Sequence, residues 1–185
     1  MGIGKSFAYL LPLILYSERM EKPVAAATST IALQEQLLGD VERLQKLLGV
    51  RREVILAKGQ THYLCRERAK KYLENPDAKM GSELRYAISR GCEERNCFPF
   101  PVPNDVWKKI NVIRYGKHDC GNCERRCQYH QIRQRLKSTR GIILCNQDFL
   151  TAHLISRKRR QDGLISPLVD VIAVDEAHNL ESGTR

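Results

Sequence analysis

The 185-residue sequence lacks the features of membrane and secreted proteins. Its longest apolar stretch, residues 7–16, contains Pro12 and is too short to cross a bilayer. The same stretch is not typical of a signal peptide, because no small-residue cleavage site follows it. The sequence also has no internal repeat and no low-complexity segment. We therefore predict a cytoplasmic protein with no membrane partner.

The seven cysteines are an odd number in a chain with no signal peptide. This combination argues against a secreted disulfide framework and favours free thiols or a metal site in a reducing compartment. Six of the seven lie between residues 61 and 140, whereas the five histidines show no metal-ligand spacing. A metal site in this protein is therefore expected to use thiolates from the middle of the chain.

Positive charge is concentrated in one part of the chain. The formal net charge is +10, from 31 Lys and Arg against 21 Asp and Glu. Residues 105–160 hold 14 of the basic and 4 of the acidic residues, and the rest of the chain holds 17 of each. A localised basic surplus is typical of a surface that binds a polyanion, although a solvated basic face has the same composition.

Strand and helix signals alternate at the two ends of the chain. Short apolar runs predict strands at residues 24–28, 54–57, 141–145 and 168–174. Apolar residues at helical spacing predict helices at residues 7–20, 31–48 and 146–156. This alternation predicts βαβ units, and therefore an α/β fold with a parallel sheet.

The middle of the chain has a different character. Residues 61–140 contain most of the cysteines, several prolines and no convincing strand. We interpret this segment as a cysteine-rich domain inserted into the sheet domain, which then consists of residues 1–60 and 141–185.

The chain begins with Met1-Gly2-Ile3-Gly4-Lys5-Ser6, which has the pattern of the second half of a P-loop and precedes a predicted helix. Gly2 and Gly4 would allow backbone N–H groups to approach phosphate oxygens, and the helix N-terminus adds a favourable dipole. Lys5 is predicted to contact the β- and γ-phosphates of ATP, and the Ser6 hydroxyl to bind Mg²⁺. So short a pattern also occurs by chance, and a partner motif is needed to support it.

A partner motif follows the last predicted strand, which ends in Asp175-Glu176. Ligands of open α/β sheets bind at the carboxyl ends of the strands. Asp175 is predicted to hold Mg²⁺, and Glu176 to orient or deprotonate the attacking water. An acidic turn after a strand would contain the same residues, but the upstream Gly-Lys-Ser favours a nucleotide site.

Four segments resemble, in the same order, motifs of the DinG/XPD-type superfamily 2 helicases. They are residues 29–37, 59–65, 145–150 (with Gln147 where histidine is usual) and the DEAH-box sequence at 175–178. The resemblance implies a partial RecA-like parallel sheet of the P-loop NTPase class, with a mostly helical iron–sulfur domain inserted at 61–140. It also implies a bacterial, ATP-dependent DNA helicase of 5′-to-3′ polarity, in which His178 couples the nucleotide state to DNA.

The middle segment would then carry the metal. Four cysteines resemble the family's [4Fe–4S] ligands, namely Cys65, Cys120, Cys123 and Cys127. Thiolates are soft donors that suit iron. A structural Zn²⁺ site is the alternative, because Cys92 and Cys97 with Cys120 and Cys123 would make two short pairs. Cys145 lies in a predicted strand, where cysteine acts as a small apolar residue.

Basic residues lie within and after the predicted cluster. Arg125, Arg126 and Arg133 supply positive charge, and Tyr129 among them supplies an aromatic ring. Sequence-independent binding of single strands needs phosphate-neutralising charges and a ring that stacks on a base. We therefore predict that these four residues contact single-stranded or forked DNA. Residues 157–160 are interpreted as an exposed turn.

The sequence departs from the family pattern at both ends. Met1 stands where the P-loop threonine is expected, and the 185 residues do not contain the second RecA-like domain with its arginine finger. We therefore expect a fragment of the first motor domain, which works with the remaining helicase domains and is inactive as an isolated chain. The alternative function is a metal-cluster module that binds nucleic acid without ATP turnover.

Overall fold

The computed structural model describes residues 4–113, 127–159 and 163–178. The chain divides into two compact units, one of residues 1–58 with 132–185 and one of residues 59–131. Within the described ranges, none of the helices combines the length and the apolar character that a membrane span requires.

The first unit is built around a four-stranded parallel sheet. Its strands are β1 (Val24–Thr28), β2 (Val54–Ala57), β3 (Ile142–Asn146) and β4 (Val171–Val174), in the order β2-β3-β1-β4. Its helices are α1 (Lys5–Met20), α2 (Ile31–Leu48) and α7 (Gln147–Lys158), and α6 (Gln128–Ser138) enters it from the second unit. The predicted α/β class with a parallel sheet is thus confirmed.

Alternating strand residues divide the core of the first unit into two layers. On one face of the sheet, Val24 and Ala26 of β1 pack with α1 and α2. On the other face, Ala25 and Ala27 pack with α6 and α7. All four residues are at most 1% exposed, as expected of a parallel strand covered by helices on both sides.

The strand predicted at residues 168–174 is shorter in the structure. A turn precedes it, in which the Leu168 amide donates to the Ser166 hydroxyl at 3.2 Å and the Val169 amide to the Ser166 carbonyl at 3.3 Å. The backbone amides of residues 168 and 169 are therefore used locally, and β4 begins only at Val171. Apolar composition alone overestimates this strand.

The described part of the second unit is mainly helical. It contains α3 (Arg66–Glu74), α4 (Gly81–Ser89), α5 (Asn104–Ile110) and two short 3₁₀ turns at Gln60–His62 and Arg95–Cys97. Its apolar core includes Leu84, Ile110 and Trp107, whose indole N–H donates to the Thr61 carbonyl at 2.7 Å.

Candidate nucleotide site

Three helix N-termini lie at the carboxyl edge of the sheet. Helix α1 leads into β1 through a short link, so its first turn lies at the end of the sheet where β1 finishes. Helices α2 and α7 begin just after β1 and β3. Thr30 caps α2 by accepting from the Leu33 amide at 3.2 Å, and Asn146 caps α7 by accepting from the Phe149 amide at 3.0 Å. The helix dipoles therefore favour an anion at this edge.

The first turn of α1 carries the predicted phosphate-binding residues. Gly4 is the N-cap of the helix, and Lys5 is exposed at its first position. The Ser6 hydroxyl donates to Asp40 Oδ2 on α2 at 2.8 Å. Ser6 is therefore held by a carboxylate that the sequence analysis did not single out.

Asp175 is fixed at the same edge by two contacts. Its amide donates to the Ala27 carbonyl at 2.8 Å, which continues the ladder between β1 and β4. Its Oδ2 accepts from the Tyr9 hydroxyl on α1 at 3.4 Å. Burial, reinforced by the Asp175 carboxylate, raises the pKa of Tyr9, so Tyr9 remains a neutral donor. The structure thus brings the first turns of α1 and the acidic turn together.

Gln147 holds the acidic turn from the side of α7. Its Nε2 donates to the Asp175 carbonyl at 2.7 Å and to the Glu176 carbonyl at 3.2 Å. Glu176 has a φ of 53°, a left-handed conformation that is uncommon for a residue with a side chain. His178 Nε2 lies 3.4 Å from Glu176 Oε2. The buried amide of Gln147 therefore stabilises the backbone that presents both carboxylates.

The oxygen donors of this edge fit a hard divalent cation. The Ser6 hydroxyl and the carboxylates of Asp40 and Asp175 are all connected to α1 by hydrogen bonds. Mg²⁺ prefers oxygen ligands of these kinds, together with substrate phosphates. We therefore consider Ser6 and Asp175 suited to hold Mg²⁺ beside a nucleotide.

Sequence reasoning missed Tyr9 and Asp40, although both leave a signal in the sequence. Tyr9 lies three positions after Ser6 and so shares its side of the helix. Asp40 is an acidic residue between Leu37 and Leu44, inside the apolar stripe of α2, and is only 8% exposed. A carboxylate in that stripe indicates a polar partner on the neighbouring helix.

The chain is similar to proteins named for helicase or nuclease activity. It is 42% identical to the ATP-dependent helicase DinG of Mycobacterium tuberculosis, over 97% of this chain and 30% of that protein. It is 27% identical to the ATP-dependent DNA helicase DinG of Photobacterium profundum, over 100% of this chain and 29% of that protein. It is 36% identical to the 3′-5′ exonuclease DinG of Bacillus subtilis, over 97% of this chain and 20% of that protein. The chain thus spans less than a third of the length of each.

This chain is similar to DinG-type ATP-dependent helicases over almost its whole length. No protein-family model matches it. The similarity confirms the resemblance drawn from the four motifs.

Two of the four predicted cluster ligands lie in the described part of the second unit. Cys65 and Cys127 are partly buried free thiols. Their segments are connected by the rings of Tyr63 and Tyr129, whose centroids are 5.2 Å apart. Cys65 is two positions after Tyr63, and Cys127 is two positions before Tyr129. The ring contact therefore brings the segments that carry the two cysteines close together.

The other two predicted ligands, Cys120 and Cys123, lie outside the described residues, as do Gly2, Arg125 and Arg126. Among the described residues alone, no group of three or more His, Cys, Asp or Glu side chains is arranged to hold a metal ion. The predicted set of four cysteines therefore remains a prediction.

Two of the predicted DNA contacts are buried in the structure. Tyr129 is 5% exposed and packs on Tyr63. Arg133 is 9% exposed and donates to the Leu164 carbonyl at 3.1 Å. A ring and a guanidinium that are engaged inside the protein cannot stack on a base or neutralise a phosphate without rearrangement. We therefore correct these two assignments and do not carry them into the DNA-binding proposal.

The Gln147 contacts predict a measurable effect on stability. We expect Gln147→Ala to lower the free energy of unfolding by about 1–2 kcal/mol, because two carbonyls of the acidic turn lose their donor. Urea denaturation of the 185-residue chain measures this difference. Gln134→Ala is a matched control, since Gln134 is an exposed helical glutamine of α6. Equal midpoints for the two variants would contradict the role assigned to Gln147.

Proposed function

We propose that the first unit is the first motor domain of an ATP-dependent DNA helicase of the DinG/XPD type, and that this chain is a segment of that longer protein. One observation carries the proposal. The Tyr9 hydroxyl on α1 contacts Asp175 after β4 at 3.4 Å, so the Gly4-Lys5-Ser6 turn and the Asp175-Glu176 turn meet at the carboxyl edge of the sheet. The names of the DinG relatives support the same activity.

Each residue of this edge has a proposed role in ATP hydrolysis. Backbone N–H groups around Gly2 and Gly4, with the Lys5 ammonium, bind and orient the phosphates. Ser6 and Asp175 hold Mg²⁺, which supplies charge neutralisation at the phosphates when it is bound. Glu176 accepts the proton of the attacking water or orients that water.

Three further side chains position these groups. Tyr9 orients the Asp175 carboxylate, and Gln147 fixes the backbone of Asp175 and Glu176. The His178 imidazole lies 3.4 Å from the Glu176 carboxylate. We propose that His178 transmits the state of the nucleotide to the DNA-binding surface through this contact.

We propose that the second unit is the iron–sulfur domain, with a [4Fe–4S] cluster held by Cys65, Cys120, Cys123 and Cys127. The Tyr63–Tyr129 contact supports the pairing of Cys65 with Cys127, because it joins their segments. A Zn²⁺ site is the alternative that elemental analysis distinguishes.

We further propose that the DNA partner is single-stranded or forked. Arg125 and Arg126 supply phosphate contacts, and the exposed Lys108 and Lys109 of α5 add positive charge in the same unit. Contacts of this kind neutralise the phosphate backbone without reading sequence. We place the complete helicase in the cytoplasm.

A strand-separation assay on the longer helicase tests the proposed function. We expect ATP-dependent unwinding of a duplex with a 5′ single-stranded tail and none with a 3′ tail, since the family resemblance implies 5′-to-3′ movement. The 185-residue chain alone is expected to separate neither substrate, because it spans less than a third of each DinG relative. Unwinding of the 3′-tailed duplex, or unwinding by the 185-residue chain, would contradict the proposal.

A further inference from the structure

Two thiols come together in the second unit, outside the proposed nucleotide site. The Cys92 thiol donates to the Cys97 backbone carbonyl at 3.0 Å. Cys97 is exposed and Cys92 is partly buried, and both are free. Burial and a hydrogen bond with the Cys97 side chain raise the pKa of Cys92 to about 11. The two cysteine side chains are therefore immediate neighbours.

The backbone that carries this pair is held at several points. The Cys92 amide donates to the Ala87 carbonyl at 3.1 Å, and the Cys97 amide to the Glu94 carbonyl at 3.0 Å. Between them, the Glu93 carbonyl accepts from the Leu64 amide at 2.7 Å. Because the segment is already ordered, a covalent bond between its ends costs little additional chain entropy.

The side chain between the two cysteines is also anchored. Arg95 donates to Asn104 Oδ1 at 2.6 Å and to the Val102 carbonyl at 3.2 Å, and its guanidinium lies 5.7 Å from the centre of the Trp107 ring. The 3₁₀ turn at Arg95–Cys97 is thus attached to the apolar core of the unit. This attachment keeps Cys97 beside Cys92.

We propose that Cys92 and Cys97 form a redox-active dithiol, which closes to a disulfide in exchange with a small-molecule disulfide of the glutathione class. This inference rests on the second unit alone and does not depend on the proposed helicase function.

The exchange proceeds in two balanced steps. The exposed Cys97 thiolate attacks one sulfur of the small disulfide, which forms a mixed disulfide and releases the first small thiol. Cys92 then attacks the Cys97 sulfur and gives its proton to the departing thiolate, which forms the Cys92–Cys97 bond and releases the second small thiol. The two protein thiols lose two electrons and two protons, and the small disulfide is reduced to two thiols.

Cys65 is the competing partner for Cys92. Tyr63 pairs with Glu94 in an antiparallel bridge and the Leu64 amide donates to the Glu93 carbonyl, so the segment that carries Cys65 lies beside the segment that carries Cys92. Cys145 is a natural internal control, because it is 1% exposed and burial raises the pKa of its thiol to about 12. We expect Cys145 to remain a thiol throughout.

The test treats the anaerobically purified 185-residue chain with oxidised glutathione, then alkylates the remaining thiols and maps the peptides by mass spectrometry. We expect a Cys92–Cys97 disulfide, with the loss of two alkylatable thiols and no lasting glutathione adduct. Cys92→Ser should leave glutathione attached to Cys97, because the resolving thiol is absent. Cys97→Ser should leave Cys92 alkylatable, because the thiol that attacks first is absent.

Three results would overturn the proposal. One is a stable glutathione adduct on Cys97 of the parent chain, and another is a bridge between Cys65 and Cys92. The third is protection of Cys92 and Cys97 from alkylation that a chelator removes, since the pair would then hold a metal. The mapping of the parent chain decides among these outcomes even where a variant fails to fold.

Discussion

Replacing Glu176 by glutamine in the longer helicase should slow ATP hydrolysis by about 10²–10⁴-fold, the usual contribution of a general base. The amide keeps the size of the side chain but cannot accept the proton of the attacking water. The proposed phosphate contact of Lys5 and the proposed Mg²⁺ contact of Ser6 are untouched, so nucleotide affinity should change little. Single-turnover hydrolysis and equilibrium binding of ATP measure the two effects separately.

Glu42→Gln is the matched control for this prediction, because Glu42 is an exposed glutamate of α2. Its hydrolysis rate should equal that of the parent protein. If Glu176→Gln hydrolyses ATP at the parental rate, Glu176 is not the base. If it loses binding and hydrolysis together, the residue supports the site structurally and the assigned role is wrong.

The second large effect concerns the metal. Anaerobically purified protein should be brown and contain nearly equal amounts of iron and acid-labile sulfide, since a [4Fe–4S] cluster is held by four thiolates. Cys65→Ser, Cys120→Ser or Cys127→Ser should each remove the colour and most of the iron. Visible absorption with iron and sulfide analysis measures the loss.

Cys145→Ser is the control for the cluster prediction, because Cys145 lies in β3 of the first unit and is buried in its apolar core. This variant should keep its iron. Cys92→Ser and Cys97→Ser should keep theirs as well, since neither is in the proposed ligand set. Stoichiometric zinc without sulfide would contradict the iron–sulfur proposal and favour the zinc alternative.

Much of the sheet unit is predictable from sequence, because buried parallel strands and long amphipathic helices leave strong patterns. The bounds of β1, α2 and β2 agree with the predicted ranges 24–28, 31–48 and 54–57. The start of α7 at Gln147 follows from capping by Asn146. The apolar side chains that continue upstream of β4 predict a strand that already includes residues 168–170. Local hydrogen bonding to Ser166 prevents that strand from extending further.

The functional residues of the site can be predicted where a sequence motif contains them. They are harder to predict where a tertiary contact gives a residue its role. Lys5, Ser6, Asp175 and Glu176 carry a recognisable pattern. Asp40 is 34 positions from Ser6, and its role appears only when α1 and α2 pack together. For Arg133, the sequence points to the wrong partner. Its place in a basic run predicts a DNA contact, whereas in the folded chain its guanidinium donates to the Leu164 carbonyl.

In the proposed site, Lys5 holds the phosphates of a nucleotide opposite the Asp175-Glu176 turn. The most direct test is the Mg²⁺-dependent equilibrium binding of a fluorescent ATP analogue to the longer helicase and its Lys5→Ala variant. Lys22→Ala serves as the control, because Lys22 pairs with Asp170 away from the α1 N-terminus. We predict that Lys5→Ala loses at least about tenfold in affinity, which corresponds to about 1.4 kcal/mol, while Lys22→Ala binds as the parent does. Equal affinity of the Lys5→Ala variant and the parent would contradict the claim.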